Sequence, residues 1–260
     1  MLGKTSDQYD GEYFITGIET KDGKRTETRE FIPRTVFNET HLGHAVCIGN
    51  GESRKAFRIE LLKGHQGGLL GSKALQTYGC NAISREFKPD FLVVGNYLAE
   101  EVAESTEYYD KPYADESIVY ATSSICMKYP GKFNLVPGNV KMDAGSTAVY
   151  LACFDKHHTI YMLGYDGQTP NYNNNLYAGT PGYMPHEYDV PDVKWKSNLC
   201  RIFGSYPNTQ FIWVNENTHM FPEDYKWYKN VKAISYRQFI SDADIGSFDH
   251  RSKWFTKFLI

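Results

Sequence analysis

From residue 44 onward the chain is written as short apolar runs separated by amphipathic stretches, and this alternation constrains its fold more than any other feature of its 260 residues. The runs HAVCIG, KALQTYGC, DFLVVG, SIVYATSS, TIYMLGY and QFIWVN have the length and composition of strands, and several end in Gly, Asn or Asp where a βα loop begins. Between them, RKAFRIELLKG, LAEEVAES, STAVYLACFDKH and VKWKSNLCRIFGS space their apolar residues at helical intervals. Strands alternating with helices predict an α/β fold: a Rossmann-like, mainly parallel sheet with helices on both faces. In such a sheet a ligand sits beyond the carboxyl ends of the strands.

Two segments fall outside that rhythm. Residues 1–40 carry YFITGIETKDGKRTETREFIP around a DG turn and predict an N-terminal β-hairpin extension, leaving 41–260 as one nucleotide-binding domain. Residues 165–190, YDGQTPNYNNNLYAGTPGYMPHEYDV, hold almost nothing that could build a core; a loop of that length in a compact domain predicts a lid. The formal charge is -3 with Lys and Arg scattered, so nucleic acid is not expected as a partner. No apolar run approaches the roughly 20 residues that cross a bilayer, and the polar N-terminus lacks the apolar core of a signal peptide, which predicts a cytoplasmic protein without a transmembrane segment. The five cysteines, Cys47, Cys80, Cys126, Cys153 and Cys200, are far apart and mostly set in apolar surroundings, as buried thiols are.

The chemistry begins at CIGNGESRK, residues 47–55. A strand ending in Gly49-Asn50-Gly51, followed by Ser53 and a helical pattern, gathers backbone N–H groups and a helix N-terminus at one point, which favours an anion such as phosphate. Arg54 stands where a dinucleotide fingerprint has its third glycine. The alternative is a plain tight turn in which glycine supplies a positive φ. Asn81 and Asn96 follow the next two strands, so three successive strand ends carry an asparagine, a side chain that can donate to a phosphate or base and accept from a ribose hydroxyl. A single asparagine there is as readily a turn residue.

Taken in order, Gly49-Asn50-Gly51-x-Ser53, Cys80-Asn81, Asn96, the helix opened by Ala144-Gly145 and the turn YMLGYD ending in Asp166 resemble the bacterial lipo-oligosaccharide sialyltransferases over about residues 44 to 214. The resemblance implies a metal-independent, inverting glycosyltransferase that moves a sugar from a CMP-sugar donor to a glycan hydroxyl, with no cofactor besides that donor. It implies that Asn50, Asn81 and Asn96 contact phosphate, ribose and base, and that Ala144-Gly145 lies against the cytidine. It also implies that His186, in GYMPHEYDVPDVKW, takes the proton of the acceptor hydroxyl, a task that suits a side chain titrating near neutrality. The leaving phosphate would be held by Tyr172 and Tyr177, although Gln168 falls where that family has its first such tyrosine, and Tyr165 is as well explained by packing.

The glycine-turn opening is also similar to a pterin diphosphokinase-like family, which would need ATP and Mg²⁺ held by Asp143 and Asp166. It is similar as well to uncharacterised phage-encoded proteins, for which the same fold would serve as a virion or assembly component, the hairpin as a docking arm and a homo-oligomer or virion as partner. Asp242-x-Asp244 has metal-site spacing but follows no core strand and reads as a helix end. His157-His158 reads as a pair at a helix C-terminus favoured by the macrodipole.

Overall fold

The computed structural model describes residues 11–33, 43–65, 75–105, 117–166, 174–186 and 193–245. All six apolar runs form strands: β3 (His44–Ile48), β4 (Gln76–Cys80), β5 (Phe91–Val93), β6 (Ile118–Ala121), β8 (Thr159–Leu163) and β9 (Gln210–Val214). Two strands not read from the sequence, β7 (Asn134–Leu135) and β10 (Val231–Ile234), complete an eight-stranded sheet of order β10-β9-β8-β3-β4-β5-β6-β7. Every pairing in it is parallel.

Alternate residues of each strand point to opposite faces, and both faces are dry. Val46, Ile48, Leu92, Tyr161, Leu163 and Ile212 pack on one side with α1 (Ala99–Ala103), α2 (Ser123–Lys128) and α5 (Tyr236–Asp242). Ala45, Cys47, Phe91, Ile160, Met162 and Trp213 pack on the other with α3 (Ala144–Phe154) and α4 (Val193–Ser205). Burial on both faces explains why these strands read as unbroken apolar runs rather than alternating ones.

The predicted helix over RKAFRIELLKG is instead two 3₁₀ stretches, Glu52–Ala56 and Ile59–His65, split where Phe57 turns extended at φ -96 and ψ 129. Phe57, Ile59 and Leu62 reach the core that way, while Arg54 turns inward. The N-terminal strands β1 (Gly11–Lys21) and β2 (Lys24–Pro33) form their own antiparallel pair, closed by Asp22 and Gly23 at φ 50 and 72, the left-handed pair that a two-residue hairpin turn requires.

Of the other sequence readings, Asp242 ends α5 and accepts a hydrogen bond from Gln238, as a helix-end acid does. His157 lies just past the C-terminal end of α3, its N–H donating to Ala152 O at 3.2 Å and its ring buried against Tyr78. Cys47, Cys80, Cys126 and Cys153 are buried free thiols, and Cys200 is half-buried. Among the described residues no helix is long and apolar enough to cross a membrane.

Candidate functional site

From β3 the chain builds outward through β4 to β7 on one side of the sheet, then returns to lay β8, β9 and β10 on the other. The order therefore reverses between β3 and β8, and at such a switch point two neighbouring loops leave in opposite directions and open a crevice. The ends of β3 and β8 nevertheless run very close. A Cβ on Gly49 would lie 2.5 Å from the carbonyl oxygen of Gly164, one on Gly164 would lie 2.8 Å from that of Gly49, and one on Gly51 would lie 2.6 Å from the carboxyl of Asp166.

Above this point lies a hollow of about 190 Å³ into which β3, β4, β8 and the start of α3 each contribute residues. From β3 comes Asn50, whose Nδ2 donates to the Tyr183 hydroxyl at 3.0 Å while its Oδ1 is buried without a donor among the described residues. From β4 comes Asn81, held in the left-handed region at φ 51; its Oδ1 accepts from the Gly95 N–H at 2.7 Å, and no described residue accepts from its Nδ2. From α3 come Ala144 and Gly145, whose N–H groups find no acceptor among the described residues because they open the helix.

Apart from Asn50 N–H, the glycine turn is already hydrogen-bonded within the chain. Gly49 N–H donates to Leu163 O at 2.8 Å, Gly51 N–H to Gly164 O at 2.8 Å and Arg54 N–H to Gly51 O at 3.2 Å. Glu52 N–H donates to Asn174 Oδ1 at 3.1 Å, and Ser53 N–H to Asp166 Oδ2 at 2.7 Å. The Ser53 hydroxyl donates to the other Asp166 oxygen. Asp166 thus occupies the place in which the sequence reading put a phosphate. Burial pushes its pKa up, and the hydrogen bonds from Ser53 pull against that shift. Asp143 does the corresponding work on α3, where it caps Ser146 N–H at 2.8 Å and accepts from Asn198 Nδ2 at 3.1 Å. Both carboxylates proposed for Mg²⁺ are committed to holding the walls.

Residues 174–186 of the predicted lid are fastened by two arginines. Buried Arg54 donates through Nε to Gly49 O at 3.0 Å and through Nη2 to Glu86 at 2.5 Å and to the Tyr177 hydroxyl at 3.1 Å. Arg85 clasps Glu101 with two nitrogens at 2.8 and 2.7 Å and also reaches Thr180 Oγ1 and the carbonyl of Pro181. Tyr177 therefore faces Arg54 and Glu86, and Tyr183 is the lid tyrosine that lines the hollow. Burial raises the pKa of both phenols, so they stay protonated and able to donate at neutral pH. His186 Nε2 stands 4.0 Å from Glu52 Oε1, and Glu52 lines an adjoining hollow of about 450 Å³ beyond β9 that shares Asp166 and Asn174 with the first.

No family model and no curated protein matches this sequence. Among solved structures it is similar to the sialyltransferase CstII from Campylobacter jejuni in complex with the substrate analogue CMP-3FNeuAc, at 12% identity over 68% of this chain and 82% of that one with a TM-score of 0.43. The monofunctional alpha-2,3-sialyltransferase Cst-I from the same organism matches at 11% identity over 74% and 83% of the two chains, TM-score 0.48. CST-II in complex with a trisaccharide acceptor and CMP matches at 11% over 77% and 98%, TM-score 0.43. Likeness this distant leaves function to be argued from the residues of this chain, and nothing in it supports the resemblance to phage-encoded proteins.

Of the residues singled out in the sequence, Gly49, Asn50, Gly51, Asn81, Ala144, Gly145 and Asp166 line the hollow together. Ser53 lines the adjoining one. Asn96 does not join them: it is exposed in the turn after β5. Tyr177 and His186 stand at the lid, and Tyr172 and Gln168 lie outside the described residues. Tyr183, Trp195, Asn174 and Asn175 also line the hollow and carried no local signal, since they reach it only once the lid and α4 have folded back over the switch point.

Proposed function

We propose that this chain binds a CMP-sugar at the switch-point hollow and transfers the sugar, with inversion and without a metal, to a hydroxyl of a glycan acceptor. The observation that carries this reading is the convergence on one hollow of hydrogen-bonding groups of both kinds that no described residue fills: the Asn50 Oδ1 acceptor and the donors Asn81 Nδ2, Ala144 N–H and Gly145 N–H. A base and a ribose present donors and acceptors in similar number, whereas an apolar ligand would leave each of these groups unpaired at about 1–3 kcal/mol. The helix N-terminus can accept a single phosphodiester charge.

In the proposed reaction the acceptor oxygen bonds to the anomeric carbon as the bond from that carbon to the phosphate oxygen breaks. CMP leaves with the electron pair, and the acceptor proton passes to His186. Glu52, 4.0 Å from that imidazole, would steady its charged form. The Tyr183 hydroxyl, which accepts from Asn50 Nδ2, is left to donate to the departing phosphate; the sequence resemblance implies Tyr172 and Tyr177 for that task, but the Tyr177 hydroxyl donates to Glu86 instead. Glu52 borders the adjoining hollow, which is where the acceptor would lie.

A melting-temperature titration tests the first half. Saturating CMP, with no divalent ion present, is expected to stabilise the protein by about 2.7 kcal/mol at one hundred times its Kd, raising Tm by roughly 5–10 °C. His186→Ala should keep that shift and lose sugar transfer. The reading falls if no cytidine nucleotide moves Tm at millimolar concentration.

A further inference from the structure

We infer that this hollow recognises the uncharged nucleoside part of its ligand and admits at most one phosphate group beside it, an inference that rests on the nucleotide-site reading above. In an open α/β sheet an anion ordinarily gathers at the turn after the first core strand or at the N-terminus of a facing helix. Here a carboxylate of the chain itself stands at each. Asp166 accepts both the N–H and the hydroxyl of Ser53 at the turn, and Asp143 caps α3. Gly49, Gly51, Glu52, Ser53 and Arg54 all donate their N–H groups within the chain.

Among the described residues the lining contains no Lys, Arg or His. Arg54, the buried cation nearest in sequence to the turn, spends its guanidinium on Gly49 O, Glu86 and Tyr177. One phosphodiester has the Ala144 and Gly145 N–H groups to meet it. A second phosphate would lie among Asp143 and Asp166 with no countercharge, and like charges at such separations repel strongly in a partly buried site. In the adjoining hollow Lys196 is the one cation among the described residues, beside Glu52 and Asp166. A carboxylate on the sugar would have to reach that lysine.

Binding of a nucleoside and its mono-, di- and triphosphate, measured by calorimetry for each of the four bases with a metal chelator present, tests the inference. For the base that binds, the nucleoside should lie within about three-fold of the monophosphate, and each further phosphate should weaken binding by about five-fold at low salt, less at high salt. Asp143→Asn keeps an N-cap side chain and Asp166→Asn keeps an acceptor for Ser53, so both should fold, as Tm confirms, and both should bind the diphosphate about five- to ten-fold more tightly than the parent does. A purely structural role for either carboxylate would give weaker binding instead. If affinity rises with each phosphate, or if neither variant gains affinity for the diphosphate, this inference is overturned while the nucleotide-site reading stands. If no compound of any base binds, both fall.

Discussion

The two edges of the central sheet carry the same kinds of side chain in opposite conditions. At the amino edge, Tyr78 donates to Asp155 at 2.7 Å and meets His157 Nε2 at 3.0 Å, while Asp90 accepts both the N–H and the hydroxyl of Thr77 at 2.8 and 2.9 Å. All five residues are buried. At the carboxyl edge, Asn50, Asn81 and the opening of α3 are just as polar, yet among the described residues they keep an orphaned acceptor and unmatched donors around a hollow. A polar cluster whose bonds close on themselves fixes a fold; one left incomplete at a topological switch point is suited to a ligand. Residue type alone would not separate the two edges.

Breaking the closed edge should have the largest effect on stability. Asp155→Ala leaves the buried Tyr78 hydroxyl, beside the His157 ring, without its carboxylate, which should cost about 3 kcal/mol. Thermal unfolding should then begin roughly 6–12 °C lower, with nucleotide affinity of the folded protein unchanged because the carboxyl edge is untouched. A shift under about 2 °C would mean that water or a rearranged neighbour satisfies the network and that the two edges differ less than their hydrogen bonds suggest.

At the open edge the same kind of truncation should do the reverse. Asn50→Ala removes a buried oxygen that has no donor and gives up one hydrogen bond to Tyr183, so stability should change by less than about 1 kcal/mol. Ligand affinity should nevertheless fall by about ten-fold or more, since a hydroxyl that Asn50 would accept from loses its partner. A large loss of stability together with intact binding would assign Asn50 to the fold.

The difference between the edges also marks what could be seen in the sequence. Strands β3, β4, β5, β6, β8 and β9 were legible because burial on both faces leaves each an unbroken apolar run, and Asp22-Gly23 announced its hairpin through turn chemistry. β7 has two residues, and β10 is an edge strand interrupted by exposed Lys232, so neither has a pattern to read. At the glycine turn it is the plain-turn alternative, glycine supplying a positive φ, that fails. Neither Gly49 nor Gly51 has a positive φ; both are glycine because the end of β8 passes within bonding range of the turn, a constraint that exists only in three dimensions. Asn96 looked equivalent to Asn50 and Asn81 because all three follow strands, but its turn carries it out to solvent. Tyr183 arrives at Asn50 across 133 residues of chain, and no local pattern records such a meeting.

The smallest expected effect concerns how the lid is held over the open edge. The Arg85 guanidinium, hydrogen-bonded to both oxygens of Glu101, holds that carboxyl below its ordinary range, and the same arginine grips Thr180 and Pro181 of the lid. A carboxyl with a lowered folded pKa stabilises the folded form above its unfolded value, and that contribution is lost as pH falls through the folded one. Glu101 is partly exposed, so solvent screens the pair and the change should be modest. Asp166 has the opposite sign: burial raises its pKa, so protonating it on the way down in pH relieves a cost before Glu101 is reached. Hydrogen-exchange protection of the Thr180 and Tyr183 amides, each bonded back to a lid carbonyl, should therefore hold from pH 7 to about 5 and drop roughly two- to five-fold below about pH 4. Glu101→Gln should show the lower protection at every pH. Protection that falls already between pH 7 and 5 in the parent would shift the lid's fastening from Arg85 and Glu101 to a group that titrates nearer neutrality.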